Sequence, residues 1–388
     1  MGGVVNSRRT AALVFAKWLA TRDFPASSLP EGPDRAFVQD LVYTAIRRLR
    51  PLRSMLGKLV RRWPKGELEA LLYIGAAQLI YMESVPDFAA VSETVAVAKT
   101  CGNPSVAKVV NGVLRNLIRR REEFTAAIAA APLAERESFP SELVRRWETR
   151  FGTANAEKLC QYHNTPAETF LARPDGSFVR LERAQKVSAV AGYAEGEFIV
   201  QDPATALAVS LLEIAPGETV LDACAAPGGK TVQLAWRGAQ VTACEVNPKR
   251  RRRLEETLAR MRLSEKVAVI SSLPASAPGA FSKLLVDAPC SNTGVFRRRP
   301  DARWNWSGEK LATLVKLQAE ILDICAPLVA VGGRLVYSTC SNEPEENDEQ
   351  VEGFLVRHPE FRLVEKRESV PFETGHDGAF AAALVRER

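Results

Sequence analysis

The stretch DACAAPGGKT, residues 222–231, decides the fold of this chain. It begins at the end of a short apolar segment, Glu218–Ala223, and runs into residues 230–237, which predict the start of a helix. Its two glycines remove side chains where a ligand would approach the backbone, and the helix offers free N–H groups. A P-loop would require a glycine where Cys224 stands, so the sequence disfavours a nucleoside triphosphate cradle.

Outward from this stretch, apolar strands alternate with helices, a pattern typical of an α/β fold with a doubly wound sheet. Helices cover both faces of such a sheet, and ligands bind outside the carboxyl ends of its strands. Residues that directly follow a strand are therefore the candidates for function. The predicted strands are 218–223, 239–244, 266–271, 283–287 and 333–338, and predicted helices start at 230 and span 248–262 and 308–329.

Three side chains at these strand ends carry chemistry. Glu245 follows the second strand, where an acid can accept hydrogen bonds from both ribose hydroxyls of a nucleoside cofactor. Cys290 and Cys340 follow two later strands at the same edge of the sheet. A cysteine thiolate is the strongest side-chain nucleophile near neutral pH. We interpret Cys101, Cys160 and Cys325 as small, mostly buried hydrophobic residues.

The sequence of the N-terminal third of the chain predicts helices throughout. The clearest is Ser105–Arg119, which follows a start signal at Asn103-Pro104 and carries one apolar stripe from Val106 to Ile118. Residues 1–150 hold 23 Lys+Arg and 15 Asp+Glu, whereas residues 151–388 hold 29 and 31, so the positive excess lies on the helical part. This charge predicts an anionic partner, with nucleic acid first. The arginines that could face phosphates are Arg47, Arg48, Arg50, Arg61, Arg62, Arg119, Arg120 and Arg121.

The composition excludes several classes of protein. A membrane span needs roughly 18 consecutive apolar residues. The longest apolar run here, Leu71–Met82, is shorter and predicts a buried helix. Seven cysteines without CxxC spacing argue against a disulfide scaffold and a structural zinc site, and only three histidines are present. We therefore expect a cytoplasmic protein with no membrane contact and no metal.

Residues 123–140 are rich in alanine and predict a linker that ends at Phe139-Pro140. A helix, Glu142–Arg150, and short strands around a Pro174–Gly176 turn follow. We accordingly divide the chain into residues 1–135, 136–200 and 201–388.

Four motifs resemble the S-adenosylmethionine-dependent RNA cytosine-5 methyltransferases. They are CAAPGGKT at 224–231, DAPCS at 287–291, STCS at 338–341 and PEEN at 344–347. The N-terminal helices resemble the NusB-like RNA-binding domain, and the two parts together resemble the RsmB (Sun/Fmu) family, which modifies bacterial small-subunit ribosomal RNA. The resemblance implies a class I, Rossmann-like methyltransferase sheet at 201–388, a small RNA-contacting subdomain at 136–200 and an all-α NusB-like domain at 1–135.

The resemblance also implies the roles of individual residues. Cys340 would be the nucleophile that attacks C6 of cytosine, Cys290 would release the product, and Asp287 would lie beside both cofactor and base. Spacing alone does not choose between the cysteines, because Pro-Cys carries the nucleophile in the DNA cytosine-5 enzymes and the swapped assignment competes. The implied S-adenosyl-L-methionine contacts are Cys224, Ala225, Ala226, Pro227, Gly228, Gly229, Lys230, Glu245, Asp287 and Ser272, the last where the family has an aspartate.

The expected substrate is small-subunit (16S) ribosomal RNA, of the cytosine-967 type, and we expect a monomer. Two alternatives stay open: the same chemistry on transfer RNA, and a non-catalytic RNA-binding or ribosome-assembly factor. Both cysteines and the intact glycine-rich loop weigh against the second.

Three further segments carry expectations. Arg297–Arg299 and Arg303, beside Trp304 and Trp306, could bind phosphate and stack bases, although the tryptophans could equally anchor a core. The six acids in Glu343–Glu352 are interpreted as complementing a helix dipole. The segment Asp377–Phe380 resembles the family's closing strand pair and is interpreted as structural.

Overall fold

The computed structural model describes residues 6–101, 104–182, 185–274 and 277–388. The chain forms two compact units. A helical unit comprises the residues up to Asn164 together with Arg299–Trp306, and an α/β unit comprises Thr165–Arg298 and Ser307–Arg388.

The helical unit packs around α4, which is apolar on all sides, as expected of a buried helix. Ten of its fifteen residues are buried, and it packs against α1, α2, α3, α5 and α6, which confirms the prediction for Leu71–Met82. The helices of this unit are α1 (Ser7–Thr21), α2 (Arg35–Arg47), α3 (Leu49–Gly57), α4 (Glu67–Tyr81), α5 (Asp87–Thr100), α6 (Pro104–Arg119), α7 (Arg121–Ala129), α8 (Leu133–Arg136), α9 (Ser141–Phe151) and α10 (Thr153–Asn164).

The amphipathic helix predicted at Ser105–Arg119 is present as α6. Asn103, the predicted start signal, lies outside the described residues. Val110 and Leu114 are buried in the stripe, but Val109 is 49% exposed. At 3.6 residues per turn, Val109 lies at the edge of the stripe rather than at its centre, so its side chain borders the solvent.

The alanine-rich stretch predicted as a linker is instead helical. It forms most of α7 and all of α8, because alanine is the strongest helix former. The helical unit also extends to Asn164, beyond the boundary expected at residue 135. Phe139 contacts Trp147 with ring centroids 5.5 Å apart, and Trp147 contacts His163 at 5.9 Å. These buried rings hold α9 and α10 on the unit.

The segment Arg299–Trp306 belongs to the helical unit's interior, which corrects the expectation that it faces RNA. Arg303 is fully buried and donates to Asn164 Oδ1 at 2.9 Å, with its guanidinium carbon 3.8 Å from the Phe139 ring centroid. Trp304 Nε1 donates to the carbonyl of Ile46 at 3.0 Å. Trp306 is buried. The tryptophans are core anchors, and the arginine satisfies buried acceptors instead of phosphates.

The α/β unit begins with a small antiparallel sheet in the order β2-β1-β3. Its strands are β1 (Thr169–Ala172), β2 (Phe178–Leu181) and β3 (Ile199–Val200). The turn predicted at Pro174–Gly176 joins β1 to β2, and Gly176 adopts a φ of +83°, which favours glycine.

The main sheet has seven strands in the order β6-β5-β4-β7-β8-β10-β9. Strands β4 to β8 are mutually parallel, and β10 runs antiparallel to both its neighbours. The direction of winding reverses between β4 and β7, which is where doubly wound sheets bind ligands. The predicted Rossmann-like sheet is therefore confirmed. The strands are β4 (Thr219–Asp222), β5 (Gln240–Cys244), β6 (Val267–Ile270), β7 (Phe281–Asp287), β8 (Val329–Thr339), β9 (Phe361–Ser369) and β10 (Ala379–Arg386).

Helices pack against this sheet in the alternation that the sequence predicts. They are α11 (Ala206–Leu211), α12 (Gly229–Trp236), α13 (Pro248–Arg260), α14 (Gly308–Cys325), α15 (Asp348–Arg357) and α16 (Pro371–Thr374). The carboxyl ends of β4, β5, β6, β7 and β8 share one edge, so the residues that follow them lie together.

Candidate active site and basic groove

The glycine-rich turn after β4 leaves no room for side chains. Gly228 has a φ of +107°, and a Cβ on it would lie 3.0 Å from Leu254 Cδ1. A Cβ on Gly229 would lie 3.1 Å from Gln201 Nε2. The turn therefore packs closely between Leu254 of α13 and Gln201, which precedes α11.

Asp222, which sequence reasoning did not select, lies buried beneath this turn. Its Oδ2 accepts a hydrogen bond from Thr231 Oγ1 at 2.7 Å. Burial raises the pKa of Asp222 to about 7. The side chain links the end of β4 to the first turn of α12 and fixes the shape of the turn.

Lys230 and Asp287 form an ion pair across the switch point, with Nζ 2.7 Å from Oδ2. The other carboxylate oxygen of Asp287 accepts from Ser338 Oγ at 2.8 Å. Burial alone would lower the pKa of Lys230, but the Asp287 carboxylate outweighs it and the pKa is raised. Lys230 therefore stays cationic, and Asp287 is fixed between the glycine-rich turn and the cysteine loops.

Glu245 lies at the end of β5, where the sequence places it, and its side chain is 3% exposed. Its Oε1 accepts from the Asn247 backbone N–H at 2.9 Å, and its Oε2 lies 3.2 Å from Arg250 Nη2. These contacts orient the carboxylate. Ser272 follows β6, the neighbouring strand, and is exposed. The predicted cofactor residues thus share one sheet edge.

The two cysteines singled out from the sequence meet in space. Cys290 follows β7, Cys340 follows β8, and their Sγ atoms lie 3.3 Å apart. Cys340 Sγ also lies 3.5 Å from Asn292 Oδ1. The hydrogen bond with Cys340 and burial raise the pKa of Cys290 well above its usual range. Cys340 lines a small cavity of about 40 Å³ that Lys230 and Asp287 also line.

Gly378, which lines the cavity, approaches Gly294 closely. A Cβ on Gly294 would lie 2.7 Å from the carbonyl oxygen of Cys340 and 2.7 Å from Gly378 Cα. The segment Asp377–Phe380, interpreted as structural, lines the cavity. Asp377 pairs with Arg298, which also bonds Asp202 Oδ2 at 2.7 Å. Arg298 therefore secures the loop between β9 and β10 rather than facing phosphate.

The acids of Glu343–Glu352 do not all behave as expected. Asp348 and Glu349 lie in the first turn of α15, as dipole complementarity requires. Glu346 is instead fully buried and accepts from the backbone N–H of Ser291 at 2.9 Å. The sequence does not reveal the burial of Glu346, because a run of acidic residues predicts an exposed surface. This corrects the interpretation of the run as dipole complementarity alone.

A basic groove of about 710 Å³ opens on the helical unit between the segment after α3 and helices α4 and α6. Four cations and several apolar side chains line it, including the exposed Val109. Other arginines predicted to face phosphates have protein partners: Arg48 pairs with Glu137, and Arg121 pairs with Asp87. The residues of this basic groove are Leu59, Val60, Arg61, Arg62, Trp63, Pro64, Lys65, Leu68, Leu72, Lys108, Val109, Gly112, Val113 and Asn116.

Comparison with known proteins agrees with this architecture. Residues 209–384 match the family 16S rRNA methyltransferase RsmB/F, and residues 5–119 match the NusB family. The chain is 34% identical to ribosomal RNA small subunit methyltransferase B of Serratia proteamaculans, over 98% of this chain and 99% of that protein. It is 33% identical to the protein of the same name from Pseudomonas putida, over 98% and 99%.

Two solved structures share the fold. The crystal structure of PH0851 superposes with a TM-score of 0.79 at 21% identity, over 98% of each chain. That of NSun6 from Pyrococcus horikoshii with SFG superposes with a TM-score of 0.55 at 18% identity, over 64% of this chain and 99% of that one.

A NusB domain joined to a Rossmann-like methyltransferase sheet defines a class of RNA methyltransferases, and this chain is an enzyme of that class. It belongs to the RsmB/F family of 16S ribosomal RNA methyltransferases. The resemblance found in the sequence is thereby confirmed. In the described part of the chain, no helix combines the length and the hydropathy that a membrane span requires. Nor does any cluster of three or more His, Cys, Asp or Glu side chains suit a metal ion within these same residues.

Proposed function

We propose that this enzyme methylates C5 of a cytosine in small-subunit ribosomal RNA, with S-adenosylmethionine as methyl donor and Cys340 as nucleophile. The observation that carries the proposal is the Cys290–Cys340 pair, with sulfur atoms 3.3 Å apart beside the Lys230–Asp287 ion pair. One cysteine suffices for a nucleophile. A second at this distance suits a reaction in which a covalent adduct must also be resolved.

The pocket fits the proposed cofactor on two counts. The turn at Gly228 and Gly229 has no side chain of its own at the start of α12, and the buried carboxylate of Glu245 is oriented at the end of β5, where ribose hydroxyls would be bound. Ser272, at the end of β6, would meet the adenine. When bound, S-adenosylmethionine supplies the methyl group from its sulfonium.

The thiolate of the nucleophilic cysteine would add to C6 of the cytosine and break the aromaticity of the ring. C5 then becomes enamine-like and can accept the methyl group. A base removes the C5 proton, and elimination of the thiolate restores the ring. The target base must leave any stack, because C6 is not accessible to a side chain inside one.

Access favours Cys340 over Cys290 as the nucleophile. Cys340 lines the small cavity together with Lys230 and Asp287, whereas Cys290 is not among the described residues that line it. With its sulfur 3.3 Å from that of Cys340, Cys290 is close enough to act in the second half of the reaction, in which the product is released. The swapped assignment is the competing hypothesis, and the two differ in which cysteine variant accumulates a covalent protein–RNA adduct.

Asp287 would hydrogen-bond the target base. Lys230 and Ser338 occupy one oxygen each, so the carboxylate is fixed in orientation while its remaining lone pairs stay available. A carboxylate at this position would favour the protonated ring nitrogen of the adduct.

The basic groove is the proposed RNA contact on the helical unit. Arg61, Arg62, Lys65 and Lys108 give it four positive charges, and apolar side chains such as Val109 form its walls. Cations bind the phosphate backbone without regard to sequence, and apolar walls suit unstacked bases. Arg61 and Arg62 are two of the arginines that the sequence predicts to face phosphates.

The proposal is tested by incubating the protein with labelled S-adenosylmethionine and either purified 16S ribosomal RNA or total transfer RNA. Bisulfite sequencing then maps 5-methylcytosine. We expect one methylated cytosine in ribosomal RNA. Transfer to transfer RNA alone would establish the alternative substrate, and no transfer to either RNA, or to assembled small subunits, would leave only the assembly-factor alternative.

A further inference from the structure

A short turn between β8 and α15 holds two side chains that are wholly buried although both are polar. Glu346 and Asn347 are each 0% exposed. Buried polar groups are costly unless their hydrogen bonds are satisfied, so their partners show what the turn holds in place.

Glu346 holds the loop that carries Cys290. Its Oε1 accepts from the Ser291 backbone N–H at 2.9 Å, and its Oε2 accepts from Ser291 Oγ at 2.5 Å. Gln318 Nε2, on α14, donates to Glu346 Oε1 at 3.0 Å and to the carbonyl of Pro289 at 3.0 Å. Glu346 therefore fixes the residue after Cys290 directly, and Gln318 links this carboxylate to the residue before Cys290.

Asn347 holds the loop that carries Cys340 in the same manner. Its Oδ1 accepts from Thr339 Oγ1 at 2.6 Å, and its Nδ2 donates to the carbonyl of Ser341 at 2.9 Å. The residues on both sides of Cys340 are therefore fixed through one amide.

Glu346 and Asn347 are adjacent in the chain, so the two loops are coupled through a single peptide bond. We propose that Glu346 and Asn347 are positioning residues that set the separation of Cys290 and Cys340, the first through Ser291 and the second through Thr339 and Ser341. This role deepens the proposed function and rests on it. Ser291 Oγ also lies 3.2 Å from Ser341 Oγ, which joins the loops directly.

The charge of Glu346 also acts on Cys290. After the hydrogen bond with Cys340 and burial, the carboxylate of Glu346 contributes to the raised pKa of Cys290. Glu346 thus holds Cys290 in place and helps to keep it a thiol.

A thiol measurement tests the positioning role without RNA. Diamide oxidises two neighbouring thiols to a disulfide and is itself reduced to the hydrazine, so the rate of Cys290–Cys340 disulfide formation reports their proximity. We expect Glu346→Gln, which removes one acceptor, and Asn347→Ala to slow this rate about fivefold or more, because each variant loses hydrogen bonds that fix a cysteine loop. The control Glu349→Gln, at an exposed acid in the first turn of α15, should match the unaltered protein.

A second measurement uses the covalent protein–RNA adduct. We expect Glu346→Gln to accumulate adduct because it displaces Cys290, and Asn347→Ala to lose adduct because it displaces Cys340. A merely structural role would lower both yields together. Unchanged disulfide rates and unchanged adduct yields in both variants would overturn the proposal.

Two safeguards keep the outcomes distinct. If Glu346→Gln does not fold, judged by its melting temperature, Ser291→Ala is the alternative variant. It removes the hydroxyl contacts with Glu346 and Ser341, keeps the backbone contact with Glu346, and should slow disulfide formation to a smaller extent. A wild-type disulfide rate in Ser291→Ala would then overturn the coupling of the loops through Ser291. If the unaltered protein forms no adduct and no 5-methylcytosine, the proposed function fails, while the diamide rates still decide whether the turn positions the cysteines.

Discussion

Cys290 and Cys340 are fifty positions apart in the chain, yet their sulfur atoms lie 3.3 Å apart. The register of the sheet explains this. β7 and β8 are parallel neighbours in which Asp287 pairs with Ser338, so the two loops leave the sheet at the same level. Cys290 follows the end of β7 by three residues, Cys340 directly follows the end of β8, and the two loops converge.

The two cysteines should fail in different ways when replaced. Cys340→Ser should abolish methyl transfer because the nucleophile is lost, and it should form no covalent adduct. Cys290→Ala should accumulate a protein–RNA adduct on a denaturing gel, because attack proceeds and release does not. Cys325→Ala, at a buried cysteine on α14, is the control and should retain activity. An adduct in the Cys340 variant would reverse the assigned roles.

Lys230→Met should reduce the methylation rate about a hundredfold, the lower end of the loss seen when one group that stabilises transition-state charge is removed. Without the ammonium 2.7 Å away, one carboxylate oxygen of Asp287 loses the partner that fixes its orientation. Lys230→Arg keeps the positive charge and should retain more of the rate. Single-turnover methylation rates measure the loss, and an unchanged rate in Lys230→Met would contradict this role for the ion pair.

Ser272→Asp should tighten the binding of S-adenosylmethionine. A carboxylate is a stronger acceptor than a hydroxyl for the adenine amino group, and the gain should be about tenfold in Kd, or about 1.4 kcal/mol. Isothermal titration calorimetry measures it. Ser271→Asp adds the same charge one residue earlier, at another exposed position, and serves as control. Equal affinities for Ser272→Asp and the unaltered protein would argue against adenine binding at this position.

Neutralising the basic groove should weaken RNA binding and its dependence on salt. For single-stranded RNA, each phosphate contact contributes about 0.7 to the slope of log K against log salt. The double variant Arg61→Gln/Arg62→Gln should therefore lower the slope by about 1.4. Lys17→Gln/Lys158→Gln removes the same charge from the helical unit outside the groove. If both doubles lower the slope equally, the groove has no special role.

Asp222 should make the protein less stable as the pH rises from about 4 to 7. The folded-state pKa of about 7 exceeds the ordinary value of 3.8, so over this interval the carboxyl ionises in the unfolded chain but not in the folded one. This loss of stability is absent below the ordinary pKa of 3.8 and complete above the folded-state pKa of about 7. Asp222→Asn should remove about 2 kcal/mol of the change in unfolding free energy between pH 5 and 8. Urea unfolding at both values measures it, with Asp175→Asn, at an exposed turn, as control. An unaltered pH dependence in Asp222→Asn would refute the assignment.

The sequence sufficed for the features that local pattern determines. Apolar runs and turn residues predict β4 to β8, and strand ends place Glu245, Cys290 and Cys340 at one edge, because parallel strands in a doubly wound sheet share their direction. The pattern of apolar runs and turn residues did not predict β9 and β10. The second of these is alanine-rich and buried, a composition more typical of a helix than of a strand, and its pairing with β8 decides its state.

Partners far away in the chain account for what local pattern missed. In the sequence, nothing near Arg303 distinguishes it from a surface arginine. Only the folded structure shows its contacts with Asn164 and Phe139. Glu346 belongs to an acidic run, and only its contact with Ser291 shows that it is buried. Burying a charged side chain costs free energy. For Arg303 and Glu346, hydrogen-bond partners from distant segments of the chain offset this cost.

The segment Arg299–Trp306 has a consequence for the order of events during synthesis. A ribosome releases the residues up to Asn164 long before it releases Arg303 and Trp304, which complete the interior of the helical unit. At about 5–20 residues per second, synthesis of the residues between Asn164 and Arg303 takes about 7–28 seconds, and during this time Ser138, Asn164 and Ile46 lack these partners. The interior of the helical unit is therefore completed only after strands β4 to β7 of the main sheet have been translated.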